Sequence, residues 1–336
     1  MTPGMDDGRL ALGITTGFAA ALLSAVSYLV SRHHAGRPGG DAIRLLVCAH
    51  LLMAVVSLPL TWLAGPVATP MAAWLPPLAG SACCYLMGQV ALFAALQLAP
   101  ASRVAPLLGL KIGMLAAIVT WLPGDPLGAR QWAAVALSVA AAALLQRGGG
   151  IGPAALALVL VTCLAFAVAD LCIVGLIDGL QAGQLHPAAA GARLRAAALA
   201  MSLTYVTCGG VAAIVLLCVP RTRPREARDW RAGGWYAAAW LGSMVALYAC
   251  FGLLGAVFGN ILQSTRGVMA IVLGATLAHL GWHELEERVD RSTLVRRVMA
   301  AILMTVAVAL YATKPPPATT PGQPASGHGV RACAPA

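Results

Sequence analysis

Ten stretches of about twenty residues each run almost free of charge: 10–31, 45–64, 75–98, 103–122, 130–146, 153–177, 195–219, 235–258, 262–282 and 294–312. A bilayer core takes about 20 apolar residues per helix, so each stretch is long enough, or nearly so, to cross one. Spanning β-strands would instead show short segments of alternating polarity. Helices satisfy every backbone group within the segment, which lipid demands. The expected fold is therefore an all-α membrane protein of about ten transmembrane helices.

Composition closes off the alternatives. Of the 336 residues 60% are apolar and only 10% are charged, with a mean hydropathy of +0.81. A soluble domain is about 25% charged, so a soluble enzyme, a disordered chain and a nucleic-acid-binding domain are excluded. The net charge of +10 is not a nucleic-acid signal. Of the 34 charged side chains, 19 fall in Arg32–Arg44, Arg221–Arg231 and Glu284–Arg297, as loops beside a membrane do. Seven tryptophans, Trp62, Trp74, Trp121, Trp132, Trp230, Trp235 and Trp282, stand near span ends, where an amphipathic ring prefers the interface. Membrane lipid is thus an expected partner. Lys/Arg counts, 7 on the N-terminal side and 14 on the other, favour both termini outside. The N-terminus, with Asp6 and Asp7 before Arg9, reads as the lead into the first span rather than a signal peptide. The nine cysteines include no C-x-x-C pair and read as small apolar residues. No metal site or cofactor is expected. His33-His34 lack a third ligand at metal spacing, and no phosphate-binding G-x-x-x-x-G-K-S/T occurs.

The spans fall into two sets of five. Ala25-Val26-Ser27-Tyr28-Leu29 aligns with Ala167-Val168-Ala169-Asp170-Leu171, Gly80-Ser81 with Gly242-Ser243, and Ala101-Ser102-Arg103 with Ser264-Thr265-Arg266. The common order suggests a duplicated unit. Five is odd, so the copies would run in opposite directions through the membrane, a plan frequent in secondary transporters. The expected organisation is an N-terminal tail (1–9), a first repeat (10–147), a second repeat (148–312) and a disordered C-terminal tail (313–336).

Ala101-Ser102-Arg103-Val104-Ala105-Pro106-Leu107-Leu108-Gly109-Leu110-Lys111, running on to Gly124-Asp125, resembles the fourth helix of an EamA-type repeat of the drug/metabolite transporter superfamily. Gln131-Trp132 resembles the start of that repeat's fifth helix, and Gly88-Gln89-Val90-Ala91-Leu92-Phe93-Ala94-Ala95-Leu96 its third. The resemblance implies a ten-helix carrier in a plasma membrane, a bacterial inner membrane by expectation. It would move a small metabolite or drug-like compound by alternating access, driven by a gradient or by exchange.

Two charges inside the spans are the sharpest functional candidates. Lys111 lies near the middle of span four, where a lysine costs about 2.5–3.5 kcal/mol on an insertion scale. Asp170 is the only carboxylate deep inside any span. Span centres place the two roughly 10 Å apart in depth, so a direct pair needs a shifted or tilted helix, or a bridging water. Three readings stay open. Lys111 binds a substrate carboxylate or phosphate and Asp170 an amine; or Asp170 carries a proton, since burial favours a neutral carboxyl; or the two form a structural ion pair.

Arg103 and Arg266, at the starts of spans four and nine, either point inward or snorkel to the interface. Tyr28 matches Asp170 in the alignment and is placed in the same cavity. Gln89 is a ligand or an interhelical hydrogen bond. His50 and His279 read as packing residues or proton carriers. Gly255 and Gly259 form a G-x-x-x-G that suits close helix approach within one chain or in a homodimer. Two other classes remain: a non-transporting sensor or scaffold, and an intramembrane enzyme. For the last, neither an aspartate cluster nor a serine in a Gly-x-Ser-x-Gly setting is present.

Overall fold

In a computed structural model, the structure describes residues 7–35, 41–63, 69–98, 104, 107–121, 127–146, 152–184, 191–269, 273, 276 and 291–312. Most of those residues are helical, and no strand occurs among them. The helices are α1 (Asp7–Ala35), α2 (Ala42–Leu63), α3 (Met71–Leu98), α4 (Leu110–Trp121), α5 (Ala129–Gln146), α6 (Pro153–Ala182), α7 (Ala192–Cys218), α8 (Ala227–Leu254), α9 (Ala256–Ser264) and α10 (Arg291–Ala312). Six of them, α1, α2, α3, α6, α7 and α8, are long and apolar enough to cross a membrane, and α4 is a shorter apolar helix. The chain is an integral, multi-pass membrane protein.

Local sequence sets the boundaries. Pro153 opens α6 at its first turn, where the missing N–H is not needed. Gly255 separates α8 from α9 with φ +81°, a conformation that side chains resist, and its N–H closes α8 on the Phe251 carbonyl. This corrects two expectations. The eighth span ends at Leu254 rather than 258, and the ninth helix starts at Ala256 rather than 262. Gly255 in the G-x-x-x-G is also a helix stop, with no atom near its missing Cβ. Gly259 abuts Phe251 and Cys250 of the same chain, so the pair serves a turn within the monomer.

The main helix contacts are α1 on α8, α3 on α6, α2 on α7 and α5 on α10, while the short α4 lies on α6 and α5, and α9 on α1. Small residues set the closeness of these contacts. Gly209 on α7 faces Ala54 and the His50 carbonyl of α2, and a Cβ on Gly179 of α6 would stand 2.8 Å from the Ala73 carbonyl oxygen of α3. Without a hydrophobic drive between helices in lipid, such backbone approach supplies the packing energy. Large apolar side chains cover the outside, among them Val55, Val56, Val90, Ile214 and Leu217. Trp62 and Trp121 are more than four-fifths exposed at helix ends, as interfacial rings are. Trp240 is buried.

Candidate functional site

Three helices bring polar side chains to one buried point. Lys111 is the second residue of α4, which follows a tight turn: the Lys111 N–H donates to the Leu108 carbonyl at 3.2 Å and the Ile112 N–H to Gly109 at 3.1 Å. Its ammonium donates to Asp170 Oδ2 on α6 at 2.7 Å. Asn260, in the middle of α9, donates its amide to the same oxygen at 2.7 Å. That amide also reaches the Ala256 carbonyl at 2.9 Å, which fixes its direction. All three residues are buried.

The direct pair corrects the expected depth offset of roughly 10 Å. α6 runs to Ala182 rather than 177, which moves its centre toward Asp170. Lys111 stands at the head of α4 rather than midway along a helix begun at 103. Asn260 was missed in the sequence, although a signal was there. It is the only asparagine among the 336 residues, and it sits in an apolar run.

Aromatic rings adjoin Lys111 and run on across the bundle. Its ammonium lies 5.9 Å from the Phe166 ring centre. Phe166 stacks on Tyr85 at 6.1 Å, Tyr85 meets Trp240 at 6.4 Å, and Trp240 meets Tyr28 at 6.3 Å. The guanidinium carbon of Arg266, just beyond α9, lies 5.6 Å from the Tyr28 ring centre. Two cations therefore end one arc of four rings drawn from α6, α3, α8 and α1. Each cation is attracted by the face of its ring. Trp240 is held by a hydrogen bond from its Nε1 to the Tyr205 hydroxyl at 2.8 Å.

Of the other expected site residues, Gln89 is buried on α3, and its Nε2 has no hydrogen-bond partner among the described residues. His50 packs against Tyr85 at 5.7 Å and Tyr205 at 6.3 Å, with Nδ1 2.8 Å from the Leu46 carbonyl oxygen. It is a packing histidine on that side, and its Nε2 is buried with no hydrogen-bond partner among the described residues. Arg103, Asp125 and His279 lie outside the described residues. Among the described residues no group of three or more His, Cys, Asp or Glu side chains could hold a metal ion.

Two further ion-pair clusters sit toward opposite ends of the bundle. Arg44 of α2 reaches Asp229 of α8 at 3.5 Å. Arg193 of α7 pairs with Asp178 of α6 at 2.9 Å and donates to Gln181 at 3.0 Å and to the Gly252 carbonyl.

The comparison with protein families decides how the first half is read: residues 11–147 match the EamA-like transporter family. This part of the chain is similar to an EamA-like transporter unit. Members of that family are transporters, and the unit holds α1 to α5, hence Lys111, Gln89 and Tyr28. A solved structure titled only "Crystal structure of protein" superposes with a TM-score of 0.64 at 15% identity. It covers 89% of this chain and 95% of its own, a likeness of fold that reaches well beyond the EamA-like unit. No curated protein matches.

Proposed function

We propose that the protein is a secondary transporter that carries a small metabolite or drug-like compound across the membrane by alternating access. The EamA-like unit would be the first of two five-helix repeats of opposite orientation, with α6 to α10 as the second. The reciprocal packing supports this reading. Where α1 meets α8, the third helix of the second set, α3 meets α6, the first helix of that set, and α2–α7 and α5–α10 also pair across the two sets. An inverted repeat places its site where the two sets meet.

The single observation that carries the functional reading is the Lys111–Asp170–Asn260 junction. It joins the EamA-like unit to α6 and α9, and it buries charge where packing alone would use apolar side chains. Intramembrane charges are expensive and mark transport pathways. Arg266, Tyr28 and Gln89 would line the same route, and Arg103 is proposed with them from its matched position in the sequence. The drive would be a proton or other ion gradient, or exchange. The membrane would be a bacterial inner membrane, with both termini outside, and the work needs no cofactor.

The test is transport by the full chain reconstituted in liposomes. A panel of amino acids, amines, sugars, nucleotides and cationic drugs would be screened first by thermal shift at about pH 6 and pH 8. A ligand at 100 times its Kd raises stability by about 2.7 kcal/mol. We expect at least one compound to be carried, and Lys111→Met and Asp170→Asn each to stop it without preventing insertion. Full transport in both variants removes these residues from the mechanism, and transport of nothing in the panel counts against the carrier reading in favour of a sensor or scaffold.

A further inference from the structure

We infer that the cargo is a small organic anion with a flat aromatic body and no ammonium group, and that Asp170 takes up a proton as the anion replaces it on Lys111. This rests on the transporter reading above and names its substrate class and coupling.

Charge arithmetic comes first. Lys111 and Arg266 both stand against the same aromatic arc, Lys111 over Phe166 and Arg266 over Tyr28. Asp170 is the one carboxylate paired there. Among the described residues Arg266 has an aromatic ring against it and no carboxylate within ion-pair distance. Two cations against one carboxylate favour a negative guest. An ammonium guest would have to share Asp170 with Lys111 and would meet like charge at close range.

The partner that can be exchanged is also visible. Lys111 and Asn260 hold the same oxygen of Asp170, and Asn260 is itself anchored to the Ala256 carbonyl. When Lys111 leaves, Asp170 keeps its amide donor. A proton from the aqueous phase then forms an O–H bond on the carboxylate, and the Lys111 ammonium keeps its three protons and pairs with the anion. Before the exchange the junction holds one cation and one anion. Afterwards it holds the Lys111 cation, the guest anion and a neutral carboxyl. The buried charge is balanced in both states, which avoids the penalty of an isolated charge in lipid. Anion and proton cross together, with no net charge moved.

Other titratable groups on helices packed against α6 do not compete. Tyr85 on α3, Tyr205 on α7 and Tyr248 on α8 are phenols, and Cys84, Cys208 and Cys250 on the same helices are thiols; none ionises readily near neutral pH. Arg193 of α7 is already held by Asp178. The aromatic body follows from the arc Phe166–Tyr85–Trp240–Tyr28, which spans the distance between the two cations. A planar guest would take the ring faces that Lys111 on Phe166 and Arg266 on Tyr28 now cover, since Trp240 is already stacked on Tyr236 at 5.9 Å. A zwitterion would bring an ammonium that finds no carboxylate once Asp170 is neutral.

The test uses three probes with one phenyl body: phenylmethanesulfonate, phenethylamine and phenylalanine. The sulfonate stays ionised, so any proton taken up on binding belongs to the protein. Binding to the purified full chain is followed by tryptophan fluorescence. Calorimetry in buffers of different ionisation enthalpy counts protons. The expected result is that the sulfonate binds at least tenfold tighter than the other two, with uptake of about one proton per anion. Lys111→Met weakens it tenfold or more, and Asp170→Asn binds it without proton uptake. If neither variant folds, the proton count and the ranking of the three probes on the unaltered chain still decide. Phenethylamine bound tightest and lost in Asp170→Asn would overturn the inference while leaving a transport site in place. Failure of all three probes, with a panel compound still carried, would overturn the inference alone. A panel in which nothing is carried tells against the transporter reading itself.

Discussion

The indole nitrogen of Trp240 on α8 donates to the hydroxyl of Tyr205 on α7 at 2.8 Å, and both side chains are buried. Tyr205→Phe keeps the ring and removes the acceptor, which leaves a buried N–H without a partner. Such a loss costs about 1–3 kcal/mol, and interhelical bonds in membranes sit toward the low end. We expect Tyr205→Phe to lower thermal stability by about 1 kcal/mol. Trp240→Phe with Tyr205→Phe should cost less than the two single changes added together. Strict additivity in that cycle would show that the bond contributes nothing.

Two adjacent glycines of α7 should respond in opposite ways. A Cβ at Gly209 would collide with Ala54 and press on the His50 carbonyl of α2 at 3.1 Å, while Gly210 has nothing within 4 Å. Gly209→Ala must push α2 and α7 apart, at a cost of about 1–3 kcal/mol. Gly210→Ala gains up to about 1 kcal/mol of helix propensity. Thermal unfolding of the two variants reads the contrast, and equal effects would mean that α2 and α7 are not in close contact there.

This contrast also shows what the sequence could reveal. The apolar runs announced the helices, because lipid leaves a chain little other choice. Lys111 and Asp170 stood out because charge inside such a run costs energy. Their contact did not stand out. It depends on where α4 begins after the Leu108–Gly109 turn and how far α6 extends, and a uniform apolar composition marks neither. The α8–α9 boundary was misplaced for the same reason: only the backbone shows that Gly255 adopts a positive φ. Asn260 could have been found as the single asparagine. The aromatic arc could not, since its rings come from α1, α3, α6 and α8 and follow no local spacing.

Arg44 and Asp229 join α2 to α8 with side chains only 8% and 4% exposed. Asp229 also accepts the Arg225 N–H at 2.9 Å, so it keeps one partner if Arg44 is lost. Arg44 has Asp41 at 3.8 Å as a weaker alternative. The pair is long and close to helix ends, so Arg44→Met should cost about 1–2 kcal/mol rather than the full penalty of a broken buried pair. Arg44→Met combined with Asp229→Asn should recover part of that loss in a thermal unfolding series. No recovery would mean that Arg44 stabilises the bundle through its packing alone.

The Lys111–Asp170–Asn260 junction makes an ordered prediction for stability. Lys111→Met removes the ammonium and leaves the Asp170 carboxyl held only by the Asn260 amide. Removing one partner of a buried ion pair costs about 3–5 kcal/mol. Asp170→Asn leaves a buried ammonium and should cost a similar amount. The double variant, Lys111→Met with Asp170→Asn, holds no charge and should be more stable than either single one. Asn260→Leu removes one donor and leaves the ion pair intact, so it should be the mildest of the series, at about 1–2 kcal/mol. Thermal unfolding in one detergent ranks all four. A double variant no more stable than the singles would show that the two charges do not depend on each other for burial.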